Sequence, residues 1–366
     1  MRKIMFHLNC LEQGGAERVV TNLARQFKEA GNDVIIATEW EAENEFVLAE
    51  GIRRIHAGLQ EADANSNRII KYFKRIQYLK ELIQEEQPDI VIAFAIKANY
   101  RAVMATMRLK VPVLISIRTN PIGHYDDVIS RIMVPLFFNR ADGVVFQTTG
   151  QKAFFTKKMQ QHSRIILNPI NPKYIGRKQV EQRTKEIVHA GRLVDFKNQV
   201  MLIEGFARLY KKYPEYTLKL YGGDSGDGTK EKLLKAIENH RLEQVVTLMG
   251  ASDTLERNLE TGAFFVFTSD WEGLPNALME AMALGLPVIA TDCPCGGPNT
   301  VMTHKEDGYL IPIKDRESLV NAMEYFVQNP EIVNEYGVKA RGISEIANAT
   351  AIYEQWNEYV EELCTK

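Results

Sequence analysis

The sequence predicts an α/β protein of two doubly wound parallel-sheet domains. Three observations point there. The chain has 366 residues, and at about 150 residues per domain that is room for two. Short apolar, β-branched runs alternate with helical stretches, the pattern of successive βαβ units. The alternation is interrupted once, at Asn168-Pro169-Ile170-Asn171-Pro172, where two prolines stop both a helix and a ladder and so mark a linker.

The elements follow in order. In the first series the strand candidates are Lys3–Leu8, Asp33–Thr38, Asp89–Ala95, Val113–Arg118, Gly143–Thr148 and the short Arg164–Leu167. In the second they are Ile187–Ala190, Thr217–Tyr221, Val245–Met249, Phe264–Thr268, Pro287–Thr291 and Tyr309–Ile311. Helices between the later strands include Asn198–Tyr213, Lys230–His240 and Ala277–Leu284, and the tail from Asp315 onward reads as helices.

Composition narrows the function. Hydrophobic residues make up 45% and charged residues 25%, ordinary for a globular protein. A formal net charge of -2 supplies no global field for nucleic acid, so an anionic partner must meet a local patch. Four scattered cysteines (Cys10, Cys293, Cys295, Cys364) are too few for a disulfide framework, and reduced thiols in a cytoplasmic protein are expected. No run of 18 apolar residues is present, and the chain opens on a strand rather than on a secretion signal.

In doubly wound sheets ligands bind beyond the carboxyl ends of the strands, so the loops there carry the functional reading. After the first strand, Gly14 and Gly15 precede an amphipathic helix. Paired glycines let a ligand approach the backbone and leave helix amides free for an anion. This is not the Gly-x-Gly-x-x-Gly fingerprint, and no acidic ribose ligand is evident after the second strand, which disfavours a simple NAD-binding protein. After the first strand of the second series come Arg192 and Lys197, two cations able to neutralise a diphosphate as charge builds on a leaving group. The plain alternative is a solvated basic turn.

The third loop says most. It reads Trp271-Glu272-Gly273-Leu274-Pro275-Asn276-Ala277-Leu278-Met279-Glu280. Gly273 permits close backbone approach and Pro275 suits a helix start. The amides of Gly273, Leu274 and Asn276 then face an anion at the positive end of that helix. A carboxylate such as Glu280 suits the two vicinal hydroxyls of a ribose, and the apolar Ala281-Met282-Ala283 beside it argues that this part of the helix is buried. Glu272 precedes the turn.

At these residues the chain resembles glycosyltransferase family 4, the retaining GT-B enzymes. Gly14-Gly15-Ala16-Glu17-Arg18 resembles the family's glycine loop, Gly191-Arg192-Leu193 with Lys197-Asn198 its diphosphate pair, and Glu272 through Glu280 its E-x7-E signature. Ala283 through Asp292, Gly296-Gly297-Pro298 and Asp307-Gly308-Tyr309-Leu310 follow in the family's order. The resemblance implies two Rossmann-like domains facing a central cleft. Residues 1–170 form an acceptor-binding domain, residues 173–344 a donor-binding domain, and the last helix, from about 345 to 366, packs back on the first. It implies a hexosyltransferase that retains anomeric configuration and needs neither cofactor nor metal. Its donor is a nucleotide diphosphate sugar, by family a UDP-sugar, and its acceptor a glycan, often polyprenyl-diphosphate-linked. Arg192 and Lys197 hold the diphosphate, Glu280 the ribose, and Glu272 the transferred sugar, with the backbone of Gly273–Asn276 completing that pocket. Gly14 and Gly15 bring amides to the phosphate or the acceptor.

Two departures matter. Many members carry a His after the strand corresponding to Val113–Ile117, whereas this chain has Arg118. Arg118 is therefore the candidate contact to acceptor or donor phosphate, with His124 beside it or simply an ordinary loop histidine. After Gly296-Gly297-Pro298 stand Asn299 and Thr300, where members often carry a charged pair. Arg68–Lys80 is basic and amphipathic, with Ile69, Tyr72, Phe73, Ile76 and Leu79 at helical spacing. It suits the surface of an anionic membrane, on the inner face of the cell membrane by family context, and equally a core-packing helix with a solvated basic face. Two other functions share the fold: a nucleotide-sugar epimerase, and a silent partner subunit, against which the intact Arg192, Lys197, Glu272 and Glu280 set argues.

Overall fold

The computed structural model describes every residue except Gln13, Glu181 and Lys366. The chain divides into two compact units, Met1–Asn168 with Ile352–Lys366, and Pro169–Ala351. The first boundary falls between Asn168 and Pro169, at the proline-marked stretch.

The first unit is built on seven parallel strands: β1 (Lys3–Leu8), β2 (Asp33–Thr38), β3 (Arg53–His56), β4 (Ile90–Phe94), β5 (Val113–Ser116), β6 (Gly143–Phe146) and β7 (Ser163–Ile165). Their order is β3-β2-β1-β4-β5-β6-β7. Every residue of β4, β5 and β6 is buried, because helices cover both faces and a parallel strand between two helical layers is apolar throughout. One face is covered by α1 (Gly15–Glu29). The other carries α2 (Arg68–Glu86), α3 (Ile96–Thr106), α4 (Val128–Phe138), α5 (Thr149–Phe154) and α6 (Lys157–Gln161). The edge strand β3 is absent from the sequence expectation. Arg53-Arg54-Ile55-His56 is only half-buried, and such an edge carries little apolar signal. Strand β5 stops at Ser116 rather than Arg118, so Arg118 stands on the loop beyond it.

The second unit holds six parallel strands: β8 (Glu186–Ala190), β9 (Thr217–Tyr221), β10 (Val246–Gly250), β11 (Phe264–Phe267), β12 (Val288–Thr291) and β13 (Tyr309–Ile311), in the order β10-β9-β8-β11-β12-β13. Its helices are α7 (Gln199–Tyr210), α8 (Thr229–Asn239), α9 (Leu255–Glu260), α10 (Asn276–Ala283), α11 (Gly297–Val301), α12 (Arg316–Gln328), α13 (Pro330–Ala340) and α14 (Ile343–Ile346). In each sheet the winding reverses once, between β1 and β4 and between β8 and β11, and at such a switch point a crevice opens beyond the strand ends.

The final helix α15 (Ala349–Cys364) returns to the first unit at Ile352, later than the residue 345 expected from the sequence. α14 stays with the second unit, where the carbonyl of Ala347 accepts from the amide of Ile170 at 2.8 Å. From Ile352 the helix is held against the face that carries α1. Trp356 stacks on Phe94 with ring centres 5.5 Å apart. The Tyr359 hydroxyl accepts from the Val144 amide at 3.1 Å and donates to the His162 carbonyl at 2.6 Å.

Candidate active site

In the second unit, the loops after β8 and β11 flank the switch point and are laced together. The Asp270 amide donates to the Phe196 carbonyl at 2.8 Å. The Thr268 hydroxyl donates to the Lys197 carbonyl at 2.9 Å, and Asn198 Nδ2 to Asp270 Oδ1 at 2.9 Å. The rings of Phe196 and Trp271 stack at 4.0 Å. Asn198 takes the left-handed conformation (φ 49°) and caps α7, which turns the chain sharply after Lys197. Two close approaches complete the frame. A Cβ on Gly222 would lie 1.9 Å from the Gly191 carbonyl oxygen, and one on Gly297 2.1 Å from that of Gly273, so neither position tolerates a side chain without moving backbone.

This frame brings Lys197 and Glu272 together as an ion pair, with both side chains largely buried. The Lys197 ammonium lies 5.1 Å from the centre of the Phe267 ring. Arg192 is exposed, and its guanidinium has no ion pair among the described residues. The Arg192 carbonyl accepts from Gln199 Nε2 at 2.9 Å, which fixes its backbone while leaving the head free to turn. Gly273, Leu274 and Pro275 are buried, and Asn276 opens α10, with Pro275 as the N-cap rather than a residue of the first turn. Glu280 is buried in the second turn of that helix. Asn299 reaches Asp292, at 3.5 Å, and the Thr300 hydroxyl bonds within α11 to the Gly296 carbonyl. Among the described residues, no three His, Cys, Asp or Glu side chains converge to hold a metal ion.

Two buried groups stand here that the sequence did not place at the site. His189, at the end of β8, is bonded through Nδ1 to the Val266 carbonyl at 2.8 Å, while its Nε2 faces the Gly191 position. Burial holds its pKa down to about 4, so it is neutral. Cys293 is a free, buried thiol pushed up to about 12, first by burial and then by the nearby Glu272 carboxylate.

In the first unit, Gly14 is the N-cap of α1 and offers no side-chain cap to its amides. Neither glycine has a left-handed φ, and a Cβ on Gly15 would meet nothing within 4 Å. The space at Gly15 is open, whereas a Cβ on Gly14 would meet the Glu17 carboxylate, which folds back over the first turn of α1. Arg118 turns inward. Its Nε donates to Ser116 Oγ at 2.8 Å and Nη1 to Asn168 Oδ1 at 2.5 Å, and the guanidinium lies 5.1 Å and 5.6 Å from the ring centres of Phe94 and Trp356. Burial lowers its pKa to about 9. His124 stands exposed in the next turn and is not brought to Arg118.

An acidic residue, Glu39, does follow β2 directly. It is buried and committed to Arg101 and, at 3.0 Å, to Arg75, so it does not stand free for a ribose. Arg101 also donates to Asn9 Oδ1 at 2.6 Å, at the start of the glycine loop. His7 lies beside them, its pKa held down to about 3, first by burial and then by the Arg101 charge.

Of the histidines His7, His189 and His304, whose pKa is lowered, the two fully buried ones, His7 and His189, dominate the acid response. The unfolded chain binds a proton at each near the ordinary value of 6.5, while the folded sites wait until about 4 for His189 and about 3 for His7. Their contribution is therefore complete above pH 6.5 and falls as pH drops below it, by about 1.4 kcal/mol per pH unit for each. Burial raises the pKa of Glu39 in the first unit and of Asp307 in the second, and both work in the opposite sense. The melting temperature is expected to fall as pH drops from 6.5 to 5, and His189→Gln to flatten the second unit's share.

Comparisons with known proteins agree with the two-unit fold. The family model described as Glycosyltransferase Family 4 matches residues 13–174, and that of the Glycosyl transferases group 1 matches residues 171–342. An uncharacterized glycosyltransferase of Haemophilus influenzae is 27% identical over 97% of this chain and 99% of its own. The N-acetylgalactosamine-N,N'-diacetylbacillosaminyl-diphospho-undecaprenol 4-alpha-N-acetylgalactosaminyltransferase of Campylobacter jejuni is 26% identical over 93% of this chain and 94% of its own. Among solved structures, Anabaena HepE in complex with UDP superposes with a TM-score of 0.81 at 16% identity, covering 99% of this chain and 100% of that one.

Proposed function

The chain belongs to glycosyltransferase family 4 and has the GT-B fold, and from that premise we propose that it moves a hexose or N-acetylhexosamine from a UDP-sugar to a polyprenyl-diphosphate-linked glycan. The observation that carries this reading is the Lys197–Glu272 pair at the second unit's switch point, with the exposed Arg192 on the same loop as Lys197. In the proposed reaction the donor diphosphate takes Lys197 from Glu272 and adds Arg192, so both cations stabilise the leaving nucleotide. Glu272, released, accepts from hydroxyls of the transferred sugar, and Glu280 accepts from the ribose. The amides after Gly14 and Gly15, once Glu17 swings aside, meet phosphate or acceptor. Retention of configuration and independence of metal belong to the same reading.

The inward setting of Arg118 favours a role in holding Asn168, Phe94 and Trp356 over direct contact with an acceptor, and His124 has only its exposure to recommend it. Membrane contact through the basic helix α2 suits a lipid-linked acceptor. The diphospho-undecaprenol in the Campylobacter relative's name supports that choice of acceptor.

The test is melting in EDTA with UDP, GDP, ADP and TDP. UDP is expected to stabilise the protein by about 2.7 kcal/mol at 100 times its dissociation constant, and Glu280→Ala to lose the shift. No shift with any nucleotide would favour a silent partner subunit. Interconversion of free nucleotide sugars without an acceptor would favour an epimerase.

A further inference from the structure

The layer of α2, α3 and α4 carries apolar side chains that the core of the first unit does not use. On α2, Ile76 and Leu79 are buried, but Ile69 and Phe73, in the first two turns, are 69% and 56% exposed. On α4, Val134 and Phe138 are buried, whereas Val128, Ile129 and Ile132 are 75%, 71% and 64% exposed, with Leu136 on the same face. The spacing of these four places them along one side of the helix. Both helices pack against α3, so their free faces belong to one surface. Apolar exposure gathered in this way marks an interaction site.

Charge decides the occupant. Arg68–Lys80 holds Arg68, Lys71, Lys74, Arg75 and Lys80, and Val128–Arg140 holds Arg131 and Arg140, with no Asp or Glu in either stretch. Lys74 is spent on Asp63 and Arg75 on Glu39. Among the described residues that leaves five of these seven cations without a carboxylate, in a chain of formal net charge -2. The two acids just before α4 are bonded to backbone amides: Asp127 caps α4 through the amides of Ile129 and Ser130, both at 3.0 Å, and Asp126 accepts from the Gly123 amide at 2.9 Å. Two copies of this chain meeting through the surface would set cation against cation, which an interface avoids. An anionic bilayer meets both features, since aliphatic side chains enter the acyl boundary while Lys and Arg reach up to phosphate. No helix among the described residues is long and apolar enough to cross a membrane, so the contact is one of lying on the surface.

We propose that this surface docks on an anionic lipid bilayer, with α4 as an inserting element beside the first turns of α2. The proposal rests on the lipid-linked acceptor reading. It adds a second element and a mode, side-chain burial rather than electrostatic adsorption alone.

Co-sedimentation with phosphatidylcholine vesicles, with and without phosphatidylglycerol and at low and high salt, tests it. The wild type is expected to bind vesicles containing phosphatidylglycerol and to keep part of that binding at high salt, because screening removes only the charge contribution. Ile129→Ser with Ile132→Ser should lower the partition coefficient on the order of 100-fold, about tenfold for each side chain withdrawn from lipid. Arg68→Gln with Lys71→Gln should lower low-salt binding and spare the salt-resistant part. Ile132→Trp, read as its emission minus that of the wild type, should shift to shorter wavelength on vesicles and be quenched by brominated acyl chains. The inference is overturned if the serine pair binds as wild type does, if the emission of the introduced tryptophan is unmoved, or if the serine pair only converts a dimer to a monomer. The UDP melting shift, read in every variant, shows that each is folded. Its absence from wild type would sink the UDP-sugar reading without touching the vesicle result.

Discussion

Lys197→Met is expected to lower kcat/KM by on the order of 100-fold, about 2.7 kcal/mol of transition-state stabilisation. Methionine keeps an unbranched stem against the Phe267 ring and removes only the charge, so a loss reports electrostatics rather than packing. The position is prepared for this task. The Lys197 backbone is held by Thr268 and the sharp turn at Asn198, and its ammonium is parked on Glu272. A cation placed in advance loses little entropy when a diphosphate replaces the carboxylate. The change should fall mostly on kcat, because the charge that Lys197 meets grows as the sugar–phosphate bond breaks. Arg192→Ala should cost less, since an exposed guanidinium works through water. Steady-state release of the nucleotide measures both, and Lys197→Met within about threefold of wild type would take Lys197 out of the reaction.

The parts of this arrangement legible in the sequence were those fixed by short-range pattern. Strands buried on both faces announce themselves as apolar runs, as in Ile90–Phe94, and the prolines at 169 and 172 mark the boundary. The loops after β8 and β11 could be singled out because strand ends are where ligands gather. What the sequence does not show is pairing at a distance. Lys197 and Glu272 lie 75 residues apart, and nothing in either loop alone says that they touch. Glu39 follows β2 directly, yet only the fold reveals that Arg75 and Arg101 claim it. Arg118 looked outward because loops beyond strands face solvent, while Phe94 and Trp356, the latter from the far end of the chain, draw it in. Periodicity likewise marked the apolar side of α2 but could not say that only its later turns find a core.

Arg101→Leu is expected to destabilise the first unit by about 3–5 kcal/mol, because it leaves the Glu39 carboxylate buried without its closer partner. Glu39 and Arg101 are both almost inaccessible, at 4% and 3%, and Arg75 reaches Glu39 from the side of α2 that solvent still wets. Arg101→Lys should recover little. The guanidinium serves Glu39 through Nε and Asn9 through Nη2, and a single ammonium cannot span both. Glu39→Leu combined with Arg101→Leu should recover much of the loss, since replacing both charges removes the desolvation cost along with the attraction. Calorimetry in the presence of UDP separates the units, because the nucleotide should raise the transition of the second alone. A function follows from the same contacts. The Asn9 carbonyl accepts from the amides of Glu39 and Trp40 at 2.8 Å and 3.2 Å, so the buried pair fixes the first residue of the loop that ends in Gly14 and Gly15. The double leucine variant should therefore regain stability yet transfer sugar more slowly than wild type. If it regains both, the pair holds the fold and not the loop.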